Sequence, residues 1–227
     1  MPIHRERYRR RETGIDLRGG AWAVIARNGL RTIVRQRAFL GLVMLAWIPA
    51  VVRGVQIYAS ANLPQAAFLA VTPRMFRDFL DQQELFVFFI TVYVGSGLIA
   101  EDIRVHALQL YLSRPVTRAQ YIAGKFAILF GVLAAVTWLP AMLLFLLVPA
   151  FAGNMNFVRS NLYLVPAISL FSLLLISVAG LTILALSCLS KSRWFVAVVY
   201  AGFVFFTQAV FAATRIATDT TSFSWIA

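Results

Sequence analysis

Apolar positions in this chain gather into five long runs separated by short polar segments, at about 38–58, 85–100, 120–148, 163–189 and 194–213. A helix needs about 20 apolar residues to cross a bilayer, so each run predicts a transmembrane span. The second is short, with an uncharged core of 16 residues at 85–100, so its helix is expected to extend into its polar flanks. The uncharged run 126–158 is 33 residues long, too long for one straight span. Pro140, Pro149 and Gly153 predict a kink there and then an outer loop.

The polar segments carry patterns of their own. Residues 21–37 read as an amphipathic helix, with Trp22, Ile25, Ala26, Gly29 and Ile33 on one face and Arg27, Arg31 and Arg35 on the other. An apolar face with Trp and a basic face suit an anionic membrane surface, so membrane lipid is an expected partner of Trp22, Arg27, Arg31 and Arg35. A solvated basic helix, or the start of the first span, is the plainer reading. Within 60–84, the stretch RMFRDFLDQQELF places Met75, Phe76, Phe79 and Leu80 on one helical face. It predicts a short helix that lies on the outer surface or leads directly into the second span.

Residues 101–125, EDIRVHALQLYLSRPVTRAQYIAGK, form the longest polar interruption in the second half of the chain. The segment carries Glu101, Asp102, Arg104, His106, Arg114, Arg118 and Lys125. Thr117 and Gln120 have capping-box spacing and predict a helix start at Arg118. Upstream, 103–112 has helix-forming composition, with Leu108, Tyr111 and Leu112 on a shared face, and Pro115 supplies the break. A short helix, a turn and a capped long helix present a rigid connector suited to a soluble partner.

Composition agrees with a membrane protein: 60% hydrophobic and 13% charged residues, against about 25% charged in soluble domains. Mean hydropathy is +0.78. The net charge of +12 raises nucleic acid as a partner, but position argues against it. Ten of the 21 Lys and Arg residues precede residue 38, and most others flank apolar runs, as the positive-inside rule distributes them. The loop at 60–84 is nearly neutral, with Arg74 and Arg77 against Asp78, Asp81 and Glu84, which marks it as outside. Ala59-Ser60-Ala61 resembles a signal cleavage site, but 37 mostly polar residues precede the first apolar run. The expectation is therefore an uncleaved, cytosolic N-terminus in a multi-pass protein of the cell inner (plasma) membrane. Its organisation would be an Arg-rich tail (1–20), an interfacial helix (21–37) and a transmembrane domain (38–227), with a sixth span expected beyond Ala227.

No catalytic pattern stands out. The chain lacks a Walker-type phosphate loop and an HExxH motif, and His4 and His106 are far apart with no Cys partner, so no metal or cofactor is expected in this chain. Cys188 is the single cysteine, which excludes an intrachain disulfide. Glu101 and Asp102 are adjacent, and adjacent helical residues point about 100° apart, so they do not converge on one proton. Within the spans, Arg53, Ser169, Ser172 and Gln208 are weak candidates for a substrate path. Snorkelling is the preferred explanation of Arg53, and hydroxyls in spans more often bond to backbone or neighbouring helices than line a path.

At 110–125, LYLSRPVTRAQYIAGK, the chain resembles permease subunits of the type-2 ATP-binding-cassette (ABC) transporter family. These carry, after the second span, an acidic residue, a Leu-rich helix, a Ser-Arg-Pro-Val-Ser/Thr-Arg turn and a Gly-Lys pair. Glu101, Leu108, Leu110, Leu112, Ser113, Arg114, Pro115, Val116, Thr117, Arg118, Gly124 and Lys125 match. His106-Ala107 stands where the family often has Gly-Thr, and the family usually has six spans where this chain shows five. The likeness covers roughly 95–130. It implies an all-α polytopic permease with a cytoplasmic coupling helix between spans two and three. The expected partners are cytosolic ABC ATPase subunits, which hold the ATP and Mg, and a second permease copy or paralogue. The implied ATPase contacts are Glu101, Asp102, Arg104, His106, Leu108, Tyr111, Leu112, Arg114 and Arg118. The competing classes are a membrane enzyme acting on lipid at the cytoplasmic interface, with Glu101, Asp102 and His106, and a passive channel or scaffold.

Overall fold

The computed structural model describes residues 20–62, 71–106, 117–152 and 155–221, and these are helical without a strand among them. Among the described residues, five segments are long and apolar enough to cross a membrane, the number the hydrophobic pattern predicts. The chain is a multi-span helical membrane protein. Helix α1 (Ala21–Val34) precedes span one, α2 (Arg37–Asn62). Span two is assembled from α3 (Pro73–Ile90), a π-helical turn (Thr91–Gly95), α4 (Ser96–Leu98) and α5 (Ala100–Arg104). Span three is α6 (Arg118–Val136) followed by α7 (Trp138–Ala152). A short α8 (Asn156–Ser160) leads to span four, α9 (Leu164–Leu189), and span five lies in α10 (Arg193–Thr221).

Both irregular spans follow from their sequences. Pro73 opens α3 at the first helical position, where its missing N–H costs nothing. The charged stretch after it then runs straight into span two. Met75, Phe76, Phe79 and Leu80 are all buried there, so they pack inside the bundle rather than on a bilayer surface. In span three the helix breaks at Thr137, whose hydroxyl donates to the Leu133 carbonyl at 2.9 Å. Pro140 follows three residues later and crowds the carbonyl one turn before it. The interruption falls beside Pro140, where a kink is expected, while Gly153 lies outside the described residues.

The core has two tiers. At the α1 end, Ile90, Leu129, Leu133, Val136 and Ile183 form the centre of one cluster. At the far end, Phe76, Phe79, Leu144 and Ile168 centre a second. Gln83 is fully buried in span two, and its side-chain amide donates to the Ala46 carbonyl at 3.0 Å. That bond ties span two to span one beside the turn that Pro49 loosens.

Glycine sets two close approaches. A Cβ on Gly95 would lie 2.6 Å from Ile183 Cγ2, so this position seats span four against span two. A Cβ on Gly124 would lie 2.9 Å from Ile25 Cβ and 3.0 Å from the Trp22 carbonyl oxygen. Gly124 therefore seats α1, not another span, against span three. The small-residue stripe of Gly124, Ala127, Gly131 and Ala135 is expected to admit a neighbouring helix along its length. Only part of it does so here, because a Cβ on Gly131 meets nothing within 4 Å. The same substitution should therefore have opposite effects at the two sites. Gly131→Ala should raise stability by up to about 1 kcal/mol, the helix-propensity gain. Gly124→Ala should lower it by roughly 1–2 kcal/mol, since a backbone oxygen and a Cβ cannot step aside. Thermal unfolding in detergent checks both, and limited proteolysis should release α1 from the Gly124 variant first.

Candidate functional site

The site gathers where α1, the end of span two and the starts of spans three and five meet. Its centre is Asp102 on α5. Asp102 Oδ2 accepts a hydrogen bond from the Tyr121 hydroxyl at 2.6 Å and pairs with Lys125 Nζ at 2.8 Å. Tyr121 and Lys125 sit one turn apart on α6 and reach the same carboxylate. Lys125 is 9% exposed. Its ammonium also lies 5.6 Å from the Tyr121 ring centroid. The capping box that starts α6 is formed as the sequence predicts. The Thr117 hydroxyl accepts from the Gln120 N–H, and the Gln120 side chain accepts from the Thr117 N–H. It fixes the rotation of α6 and so the direction of Tyr121 and Lys125.

Glu101 takes a different partner. Its Oε1 lies 3.5 Å from Arg193 Nη1 at the start of span five, and both side chains are nearly half exposed. The two neighbouring carboxylates diverge, as helical geometry requires, and each ties span two to a different span. Span four joins through Ser187. Its Oγ accepts from the N–H groups of Ile99 and Ala100 at 3.2 and 2.9 Å and donates to the Ser96 carbonyl at 3.2 Å. That uses the full capacity of one hydroxyl and satisfies backbone groups left open where α4 ends. Beside these groups lies an open cavity of about 1030 Å³ between α1 and the end of span two.

The other expected site residues fall as follows. The helix leaving span two ends at Arg104, and Val105 and His106 turn away from it, His106 at φ 56°. The helix expected at 103–112 is thus interrupted in its first turn. Arg104, His106 and Arg118 are exposed. Leu108, Tyr111, Leu112 and Arg114 lie outside the described residues. On α1 the three arginines Arg27, Arg31 and Arg35 are exposed, while Ile25, Ala26, Gly29 and Ile33 are partly covered by the bundle. Trp22 remains 48% exposed.

The weak substrate-path candidates do not converge. Arg53 donates to Gln56 Oε1 at 3.0 Å within its own helix. Ser169 donates to the Val165 carbonyl at 2.8 Å and accepts from Trp138 Nε1 at 3.0 Å, beside the interruption of span three. Ser172 is buried with its hydroxyl unpaired among the described residues. Gln208 points outward from span five. The sequence reading passed over Tyr121 and the clamping role of Ser187. The available signal was the four-residue spacing of Tyr121 and Lys125, which puts both on the side of α6 from which Asp102 is reached.

No protein-family model matches this chain, and no curated protein shows significant similarity to it.

The two ion pairs should respond very differently to removal of charge. Asp102→Asn leaves the Lys125 ammonium covered and without its carboxylate, which should cost roughly 3–5 kcal/mol. Glu101→Gln breaks an open, half-exposed pair and should cost no more than about 1 kcal/mol. Thermal unfolding of both variants in the same detergent measures the difference.

Proposed function

We propose that this chain is the membrane-spanning permease subunit of an ATP-driven ABC exporter, coupling ATP hydrolysis by a separate ATPase subunit to movement of substrate across the membrane. The reading rests on the motif at 101–125, and one structural observation carries it furthest. The connector is anchored at both ends to the bundle: upstream by Glu101 and Asp102, downstream by the capped helix that bears Lys125.

Such an anchored connector is what a coupling element needs. Cytosolic ATPase subunits, holding ATP and Mg, would grip the segment through Leu108, Tyr111 and Leu112, with Arg104, Arg114 and Arg118 as polar contacts. A push on it then reaches span three through Asp102 and Lys125, span five through Glu101 and Arg193, and span four through Ser187. The π-helical turn at Thr91–Gly95 gives span two a point at which to yield. Spans one and five are the least covered by the rest of the chain. Their apolar faces suit lipid and a second permease copy or paralogue. The protein would sit in the cell inner membrane with its N-terminus cytosolic.

The test is affinity capture of the tagged chain in mild detergent, with bound proteins identified by mass spectrometry. A Walker-motif ATPase should be recovered, and should be lost when Leu108 and Leu112 are both changed to Asp without loss of expression. Recovery of the chain alone, under conditions where a control complex survives, would sink the permease reading and favour the lipid-enzyme and channel classes.

A further inference from the structure

The cavity between α1 and the end of span two borders the ion pairs that tie the spans together, and its lining selects a ligand. It is walled by apolar side chains, including Val24, Ile25 and Leu98, and by polar ones from α1, including Asn28 and Thr32. Asp102, Lys125, Glu101 and Arg193 all reach it. These four charges are not equally available. Asp102 and Lys125 are closed on each other at 2.8 Å and little exposed. Glu101 and Arg193 stand 3.5 Å apart, with side-chain exposures of 46% and 47%. Each keeps hydrogen-bonding capacity to spare, since a guanidinium has five donors and a carboxylate about four acceptor sites.

We infer that this cavity is a binding site for a phospholipid with a primary-ammonium headgroup, of the phosphatidylethanolamine type. Arg193 takes the phosphate, in the planar two-point geometry that guanidinium offers to phosphate oxygens. Glu101 accepts from the ammonium, and the apolar wall covers the upper part of an acyl chain. The cavity lies at the end of the bundle where α1 and its arginines mark the boundary between hydrocarbon and water. A choline headgroup has no N–H to donate to Glu101. Its usual recognition by an aromatic cage has no counterpart among the described residues, of which Tyr93 alone brings an aromatic ring to the lining. A phosphatidylglycerol headgroup offers Glu101 only neutral hydroxyls, which are weaker donors to a carboxylate than an ammonium. The apolar wall favours the lipid over its water-soluble headgroup. This inference does not depend on an ATPase partner.

The experiment is native mass spectrometry of the full chain, purified in mild detergent and equilibrated with equal amounts of phosphatidylethanolamine, phosphatidylcholine and phosphatidylglycerol. One phosphatidylethanolamine per chain should be retained, at least tenfold over either competitor, and excess glycerophosphoethanolamine should not displace it. Arg193→Gln should lower retention at least fivefold. Thr32→Trp, which fills the cavity from the exposed side of α1 and leaves both ion pairs intact, should abolish it. Asn28→Trp serves the same purpose should the first variant lose its helical content. No retained lipid, equal retention of the three, preference for phosphatidylglycerol, displacement by the soluble headgroup, or retention unchanged in a folded cavity-filling variant would each overturn the assignment.

Discussion

The arrangement at the α1 end depends on one buried ion pair, Asp102 with Lys125. A lysine this covered is costly unless its ammonium finds a negative partner and hydrogen bonds. Asp102 provides both at 2.8 Å, and the Tyr121 ring face lies against the ammonium as well. The constraint then spreads through a single turn of α6. Tyr121 and Lys125 hold Asp102, and Gly124 between them leaves room for Ile25 and the Trp22 backbone of α1. One turn thereby fixes the end of span two and the position of the amphipathic helix together. Removing the pair would leave α1, span two and span three without a common point of reference.

Span two gives up regular helix to reach that point. A π-helical turn at Thr91–Gly95 places an extra residue in the winding, which rotates everything after it by about 100° relative to an unbroken α-helix. A second interruption, where α4 ends after Leu98, leaves backbone donors at Ile99 and Ala100 open within a buried region, and in a bilayer such groups must be satisfied by protein. Ser187 of span four does so. The distortion and its repair come from different spans, so the position of Asp102 depends on span four as well as on α6.

This explains which parts of the structure could be read from the sequence. The five spans were legible because bilayer crossing imposes a length and a composition on each run by itself. The start of α6 was legible because a capping box is four consecutive residues. The site's partners were not. Lys125 stood in the motif and Arg193 in a basic turn, but the first pairs across 23 positions and the second across 92. No local pattern encodes such distances. Helix α1 shows the same limit: its periodicity says that one face is covered, not by what. The pattern led towards a lipid surface, and the bundle covers part of that face through Gly124. For span two the sequence left two courses open to RMFRDFLDQQELF, a helix on the outer surface or one leading directly into the span, and the structure takes the second. The apolar residues of that stretch, fully buried at Phe76 and Phe79, belong to the core.

Glu101 and Asp102 are adjacent in sequence, yet the structure separates them in kind. Asp102 is enclosed, bonded twice, and held by a helix whose start is capped, so it is suited to keeping geometry. Glu101 points to the other side of the same short helix, faces Arg193 across a looser gap and borders open space. A charge pair in that setting keeps part of its hydration, and a ligand bearing both signs can take the place of that water without stranding either side chain. The same exchange at Asp102 would abandon a buried ammonium. The helical turn of 100° between neighbours therefore assigns the roles: one carboxylate holds the bundle, and the other remains accessible beside it.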